Sequence, residues 1–268
     1  MSSTNHRTWQ QYHVGHFLVT VELDPVADGK SLEDVRELAS VTGRLVELMD
    51  SVRLAATWAV SDPAHSAATP LIVRSAVPHE LAILGDPNWV GPTAGRTRFA
   101  RELARRSAQA RVVGIDVTTL VPRAATIERH MDLVVKQRIS AIASSATNTG
   151  STRHLTSPRA LHYGVWEFPA TRVLPAVPAR WLDWSGWSTW RQIRRAASDA
   201  ATYHLAIDAP AVAKIGRGAE KRIARLMRRV AALRDRGLVH VETLRTAATR
   251  LAAVPAVTPQ QSILRRAA

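Results

Sequence analysis

Short apolar runs alternating with helical segments restrict the fold of this chain more than any other feature. HFLVTVEL (16–23), RLAATWAV (53–60), HELAILG (79–85), RVVGIDV (111–117), ISAIASS (139–145), GVWEFPA (164–170) and YHLAID (203–208) each read as a buried strand. LVHVET (238–243) reads as a last one. Between them, LEDVRELASVTGRLVELM (32–49) repeats apolar residues at helical spacing behind an N-cap at Ser31. RTRFARELARRSAQ (96–109), TIERHMDLVVKQ (126–137) and RGAEKRIARLMRRVAALRDRG (217–237), ended by Gly237, read as further helices, and Asp62-Pro63 reads as a helix start. Such alternation implies parallel strands joined by right-handed crossovers. An irregular (β/α)7 barrel with helices outside is the first expectation, a doubly wound open sheet the second. The barrel domain is placed at 16–252, between a polar tail at 1–15 and a C-terminal tail at 253–268.

With 46 % hydrophobic residues in 268, the chain can bury a core and is not of the disordered class. The absence of cysteine excludes disulfides, thiolate zinc sites and cysteine nucleophiles, and fits a reducing compartment. The opening MSSTNHRTWQQYHVG is polar, and no apolar run approaches the ~18 residues of a membrane helix. The expectation is a cytoplasmic protein with no transmembrane segment.

Thirty-six Lys and Arg against 22 Asp and Glu leave a net charge of +14, which draws phosphates, acidic glycans and anionic surfaces. No nucleic-acid motif accompanies that charge. The segment 217–236 sets Arg217, Lys221, Arg222, Arg225, Arg228 and Arg229 at helical spacing, against an apolar side of Ile223, Leu226, Met227, Val230 and Leu233. It reads either as a solvated outer face or as a docking surface for nucleic acid, an anionic membrane or an acidic partner.

In both candidate architectures chemistry sits at the carboxyl ends of the strands. Those ends carry Glu22 and Asp24, Asp86 and Asn88, Thr118 to Arg123, Glu167, and Asp208. Strand ends are loops and loops are polar, so no single carboxylate there marks a site. Glu22 and Asp24 lie two apart and so share a strand face, as a solvated pair or as a carboxylate pair with one raised pKa. Trp166, beside Glu167, is the candidate wall of a sugar groove. Trp181, Trp184, Trp187 and Trp190 recur every three residues and suit stacking on sugars, on bases or on one another in a core.

Several of these segments, in order, resemble the polysaccharide deacetylases of the NodB-homology family. VTVELD (19–24) is similar to their first strand with its acid-x-acid, VRLAATWAV (52–60) to "aTwFv", and PHELAILG (78–85) to "gHEig". LVPRAATIERHMDLVVKQRISAIAS (120–144) resembles the "fRpP" or "vfPRN" element with its helix and next strand. GVWEFPAT (164–171) resembles "G-x-x-E-x-P", and YHLAIDAP (203–210) with GLVHVETL (237–244) resembles the closing segments. The ordered set covers about residues 16–250.

The resemblance implies a βα barrel in which one Asp and two His hold a divalent metal and a second Asp acts as base on a metal-bound water. The histidine pair, H-x-x-x-H, falls here on Leu84 and Asn88, and no H-x-x-x-H occurs among the ten histidines. The late histidine that serves as general acid falls at or beside Asp208 and is also missing. Of the metal triad, Asp24 remains. Arg123 resembles the family arginine that orients the catalytic carboxylate, a role suited to a fixed guanidinium fork. His79 matches the "gHEig" histidine, which lies outside the metal shell. The resulting expectation is Glu22, Asp24 and Asp208 as catalytic residues and Arg123, Trp166, Glu167 and Asn88 as substrate-binding ones. It includes no firm cofactor, with Asp86 and Asn88 offering at most weak oxygen ligands to a divalent cation beside Asp24. The function implied is a divergent deacetylase-like protein acting on or binding a carbohydrate or acetylated sugar, without the usual metal-dependent N-deacetylation. The alternative is a non-enzymatic scaffold, or a binder of nucleic acid or another anionic partner through the 217–236 helix.

Overall fold

The computed structural model describes residues 14–23, 31–91, 93–123, 127–144, 157–175 and 187–253. The expected tails fall almost wholly outside them, as do Asp24, Trp181 and Trp184.

The strands are β1 (Gly15–Glu22), β2 (Thr57–Val60), β3 (Glu80–Gly85), β4 (Thr119–Pro122), β5 (Ala141–Ser144), β6 (Arg159–Ala160), β7 (Trp166–Pro169), β8 (Arg172–Leu174), β9 (Thr202–Asp208) and β10 (Val239–Glu242). The helices are α1 (Leu32–Ser51), α2 (Thr69–Val73), α3 (Pro87–Val90), α4 (Arg96–Val112), α5 (Met131–Lys136), α6 (Trp187–Ser198), α7 (Ala209–Ile215), α8 (Arg217–Asp235) and α9 (Leu244–Ala253). The sheet runs β6-β7-β5-β4-β3-β2-β1-β9-β8, parallel throughout except at β6–β7. β10 pairs with the N-terminal half of β1 (Gly15↔Val239), and β2 takes the same edge further along (Thr20↔Thr57).

The first and last long strands, β1 and β9, are neighbours, as an irregular (β/α)7-type barrel requires and a doubly wound open sheet does not. The curl is closed by a single stretch of chain. Residues 166–169 pair with β5, while 172–174 pair with β9. At the crossing the Thr171 N–H donates to the His204 carbonyl at 2.8 Å.

Alternation along the strands separates two cores. Phe17, Val19 and Val21 of β1, with Leu205 and Ile207 of β9, face outward and pack against Leu45 and Met49 of α1 and Ile223 and Met227 of α8. Side chains of that size each contribute about 1.5–3 kcal/mol when fully buried. Leu18, Ala59, Ala82, Leu84, Val121, Ala141, Ala143 and Phe168 face the lumen, which α9 fills from the base with Leu244, Ala247 and Ala248. Local signals agree with this packing: Ser31 caps α1 in a reciprocal capping box with Asp34, and Gly237 follows α8 at φ 69°.

Three expected elements need correction. The run RVVGIDV is not a strand: Val112 ends α4, Gly114 turns the chain, and the fourth strand begins at Thr119. Its β-branched residues made it read as a strand, yet Val112 is 86 % exposed. Helix α4 continues to that point because Phe99, Leu103, Ser107 and Ala110 extend one buried stripe. The segment 126–137 holds a 3₁₀ turn at Glu128–His130 followed by the short α5, not one continuous helix. Asp62-Pro63 opens a turn, and the helix after it starts only at Thr69.

Candidate functional site

The carboxyl ends of the strands bring together three of the expected residues. Glu22 ends β1 and Asp208 ends β9, and the two are register partners on adjacent parallel strands. Both belong to the lumen-facing set of alternate residues. Arg123 follows β4 directly, its N–H donating to the Gly85 carbonyl at 3.0 Å. Its guanidinium spans the mouth and donates from Nε to Glu22 Oε2 at 3.0 Å. At the level of Glu22 the inward residues of the two strands between them, Ala59 and Ala82, are small, with Leu84 above Ala82 on β3.

The two side chains are only 15 % and 16 % exposed, so the pair is shielded from bulk water. Burial raises the Glu22 carboxyl above its ordinary range; Arg123 pulls it down, and the like charge of Asp208 pushes it up again. Asp208 also caps α7, accepting from the Ala211 N–H at 3.0 Å. The result is a carboxyl that holds its proton longer than a free glutamate, beside a permanent cation with a planar set of donors. Such a group can accept or donate a hydrogen bond to a sugar hydroxyl and can exchange a proton with it.

Trp166 and Glu167 lie elsewhere. Trp166 opens β7 at its N-terminal end and packs against the lumen cluster that includes α9. Glu167, one residue on, shares the outward face with its register partner Ile142 and is ion-paired to Arg159 of β6. Asn88 stands exposed in α3, just past the carboxyl end of β3. Its neighbour Asp86 accepts the Asn88 N–H at 2.7 Å and caps that turn. His79 is structural: its Nδ1 accepts from the Ala56 N–H at 3.2 Å, so Nε2 carries the proton and donates to Asp50 at 3.2 Å. Trp187 is 56 % exposed, whereas Trp190 packs against the outer core beneath Arg229.

Two polar clusters inside the barrel are absent from the expected set. His204 bonds through Nδ1 to the Phe168 carbonyl at 3.0 Å and through Nε2 to Thr20 Oγ1 at 2.8 Å, tying β9 to β7 and β1. A carbonyl only accepts, so Nδ1 carries the proton and Thr20 donates to Nε2. Burial pushes its pKa down to about 4, which keeps it neutral. Glu80, at the base, accepts from Thr57 Oγ1 at 2.8 Å, from Thr119 Oγ1 and from the Arg245 N–H at 3.0 Å. An acid inside the apolar run HELAILG was the one sequence sign of this cluster.

No family model matches the sequence, and no curated protein matches it. Solved structures do. A protein described as a polysaccharide deacetylase from Mycobacterium smegmatis superposes with a TM-score of 0.61 at 16 % identity, over 88 % of this chain and 90 % of that one. One from Pseudomonas aeruginosa gives a TM-score of 0.59 at 11 % identity, over 93 % and 94 %. The fold is that of the polysaccharide deacetylases. It is not theirs alone: a 4-alpha-glucanotransferase from Thermococcus litoralis superposes at a TM-score of 0.63 and 11 % identity, with 88 % of this chain covering 40 % of that one. Fold alone therefore leaves the reaction open.

The described residues at the mouth do not fit the metal that the resemblance implies. Leu84, where the resemblance expects the first histidine, is 1 % exposed within the apolar lumen cluster and offers no donor. Asn88 is a neutral amide on an exposed turn. Among the described residues, no group of three or more His, Asp or Glu side chains stands together as a metal site. Zinc requires three or four N, S or O ligands at about 2.0–2.3 Å.

Proposed function

We propose that this chain binds a carbohydrate at the barrel mouth, as a divergent relative of the polysaccharide deacetylases that does not carry out their metal-dependent N-deacetylation. The observation that carries this reading is the shielded Glu22–Arg123 pair beside Asp208, at the end of the barrel where such folds do their chemistry. The three fold neighbours described above act, by their names, on polysaccharides or glucans, which supports a saccharide as the ligand class. In this reading Arg123 supplies fixed donors to sugar oxygens and holds Glu22 in place. Glu22, with its raised pKa, exchanges a proton or donates a hydrogen bond, and Asp208 accepts one.

The test is calorimetric titration with neutral oligosaccharides of the chitin, xylan and starch types, together with product analysis in the presence of chelator. Binding by at least one series, weakened about tenfold or more by Arg123→Ala and altered by Glu22→Gln, is the expected outcome. A fully engaged charge-assisted hydrogen bond contributes about 1.5–3 kcal/mol, which sets that scale. The reading fails if no series binds at millimolar concentration, or if neither substitution changes binding.

A further inference from the structure

The outer wall of the barrel carries a second surface that the mouth does not use. Helix α8 leaves the mouth shortly after Asp208 and descends to the base, where β10 pairs with the start of β1. Its inner face, with Ile223, Leu226, Met227 and Val230, is buried against the sheet and α1. Its outer face presents Arg217, Lys221, Arg225 and Arg228, all exposed. At 1.5 Å per residue this row extends about 16 Å. Lys221, Arg225 and Arg228 enclose a shallow groove of ≈ 440 Å³ with Ala224 at its floor.

That row is not neutralised by its own helix. Glu220 is taken by Arg44 of α1 at 2.6 Å, and Asp235 by Arg234 at 2.7 Å. Among the described residues no ion pair involves Arg217, Lys221, Arg225 or Arg228. The positive surface widens onto α6: Arg229 lies 5.7 Å from the Trp190 ring, and Arg191 and Arg194 are exposed beside it. Lys221, Ala224 and Arg228 also line a second groove together with Arg44 and Glu47 of α1 and Glu220, so acid borders the row on its α1 side, while Arg225 belongs to the first groove and not to this one.

We propose that this row is a docking track for an acidic polysaccharide, holding the carboxylate-bearing chain along α8 while one end reaches the mouth. The inference rests on the carbohydrate reading above and adds the ligand's charge. Helix α8 and the four residues that line its groove present charge without an aromatic platform for bases or an apolar wedge for a bilayer. Guanidinium groups in a row suit carboxylates, which they bind through paired donors.

The experiment compares an oligogalacturonate of about six residues with its fully methyl-esterified counterpart, the same backbone without charge, on the full chain. The expected result is at least tenfold tighter binding of the acid, a preference that weakens as salt rises from about 50 to 200 mM. Replacing Arg217, Lys221, Arg225 and Arg228 by Glu should abolish the preference while leaving the ester's affinity unchanged. The variant's melting transition confirms that it folds. Equal affinity for acid and ester, or a preference that survives the four substitutions, overturns the proposal. So does tighter binding of duplex DNA or of phosphatidylglycerol vesicles at matched charge concentration. Failure of the underlying reading is separately visible in the neutral oligosaccharides: no series then binds and Arg123→Ala changes nothing, whereas failure of the track alone leaves neutral binding intact.

Discussion

Glu80 permits a sharp test of how the barrel base is sealed. Its carboxylate is buried and accepts from Thr57 Oγ1, Thr119 Oγ1 and the Arg245 N–H; Thr57 Oγ1 in turn accepts the Leu244 N–H at 3.0 Å. The acid thus satisfies the N-terminus of α9, the helix that fills the lumen. Glu80→Ala would leave the Arg245 N–H and the Thr119 hydroxyl without partners and open a small void. At about 1–3 kcal/mol for each buried group left unpaired, the expected loss is about 3–5 kcal/mol. That is a large share of the roughly 5–15 kcal/mol by which domains are stable. Glu80→Gln should behave differently. Its amide oxygen can take the Thr57 and Arg245 donors, while its NH₂ group donates to Thr119, whose hydroxyl rotates. The charge burial that raises the Glu80 pKa above 4.5 also disappears.

The pH dependence fixes the sign. A carboxyl whose pKa is raised on folding binds more protons in the native state, so its contribution to stability falls as pH rises from 4.5 through the folded value. Glu80→Gln should therefore gain on the unmodified protein across that window and level off above it. Urea denaturation at pH 4 to 7.5 measures this. If Glu80→Gln unfolds as readily as Glu80→Ala at neutral pH, the carboxylate's charge, not its hydrogen bonds, holds α9 and the reasoning is refuted.

His204 should show the opposite pH sign. Its pKa falls on burial from 6.5 to about 4, so the unfolded chain binds more protons and this contribution is lost on acidification across that window. A shift of that size corresponds to on the order of 3 kcal/mol, and His204→Ala should flatten the dependence in acid denaturation while lowering stability at pH 7. Gly15→Ala should destabilise by about 1–3 kcal/mol through overpacking, because a Cβ there would meet Ala197 Cα at 2.6 Å and the Ala196 carbonyl at 2.9 Å. Thermal unfolding reads it, and an unchanged melting temperature would show that α6 yields at no cost. Zinc titration of the unmodified chain should find no sub-micromolar site, whereas Leu84→His with Asn88→His should create affinity that Asp24→Ala removes. Sub-micromolar zinc binding by the unmodified chain, lost in Asp24→Ala, would show that the metal site lies elsewhere.

The sheet was legible because its strands are apolar runs bounded by polar turns, and burial on both faces demands that composition. Ser31 was legible as a cap because a reciprocal capping box needs only a local spacing. The fourth strand was not. RVVGIDV has the stronger local β character, but the buried stripe of α4 extends as far as Ala110 and hands the strand to TLVP. The site divides in the same way. Glu22, Asp208 and Arg123 were placed by strand order, which the barrel preserves. Trp166 and Glu167 were misplaced by a boundary: β7 runs to Pro169, so Trp166 stands at its start, and one residue of alternation sends Glu167 to the outer face. Glu80 owes its role to the Arg245 N–H in the first turn of α9, 165 residues away, and no local pattern carries that information.

Two departures from the deacetylase pattern meet at the mouth and have one electrostatic consequence. Glu22 and Asp208 sit side by side, and two carboxylates so placed require a counter-charge. Among the described residues no cluster is built to hold a metal cation there, and Arg123, reaching across from β4, supplies the positive charge permanently. Leu84, where the resemblance expects a ligand, joins Ala59 and Val121 in the apolar lumen below. Burial above such a lumen is what raises Glu22 against the pull of Arg123. A leucine at this position, which offers no metal donor, thus helps to set the proton affinity of the acid at the mouth. Polarising the lumen with Leu84→Asn should for this reason lower the Glu22 pKa, an effect that carboxyl-carbon NMR titration would detect and that a purely metal-related role for position 84 would not produce.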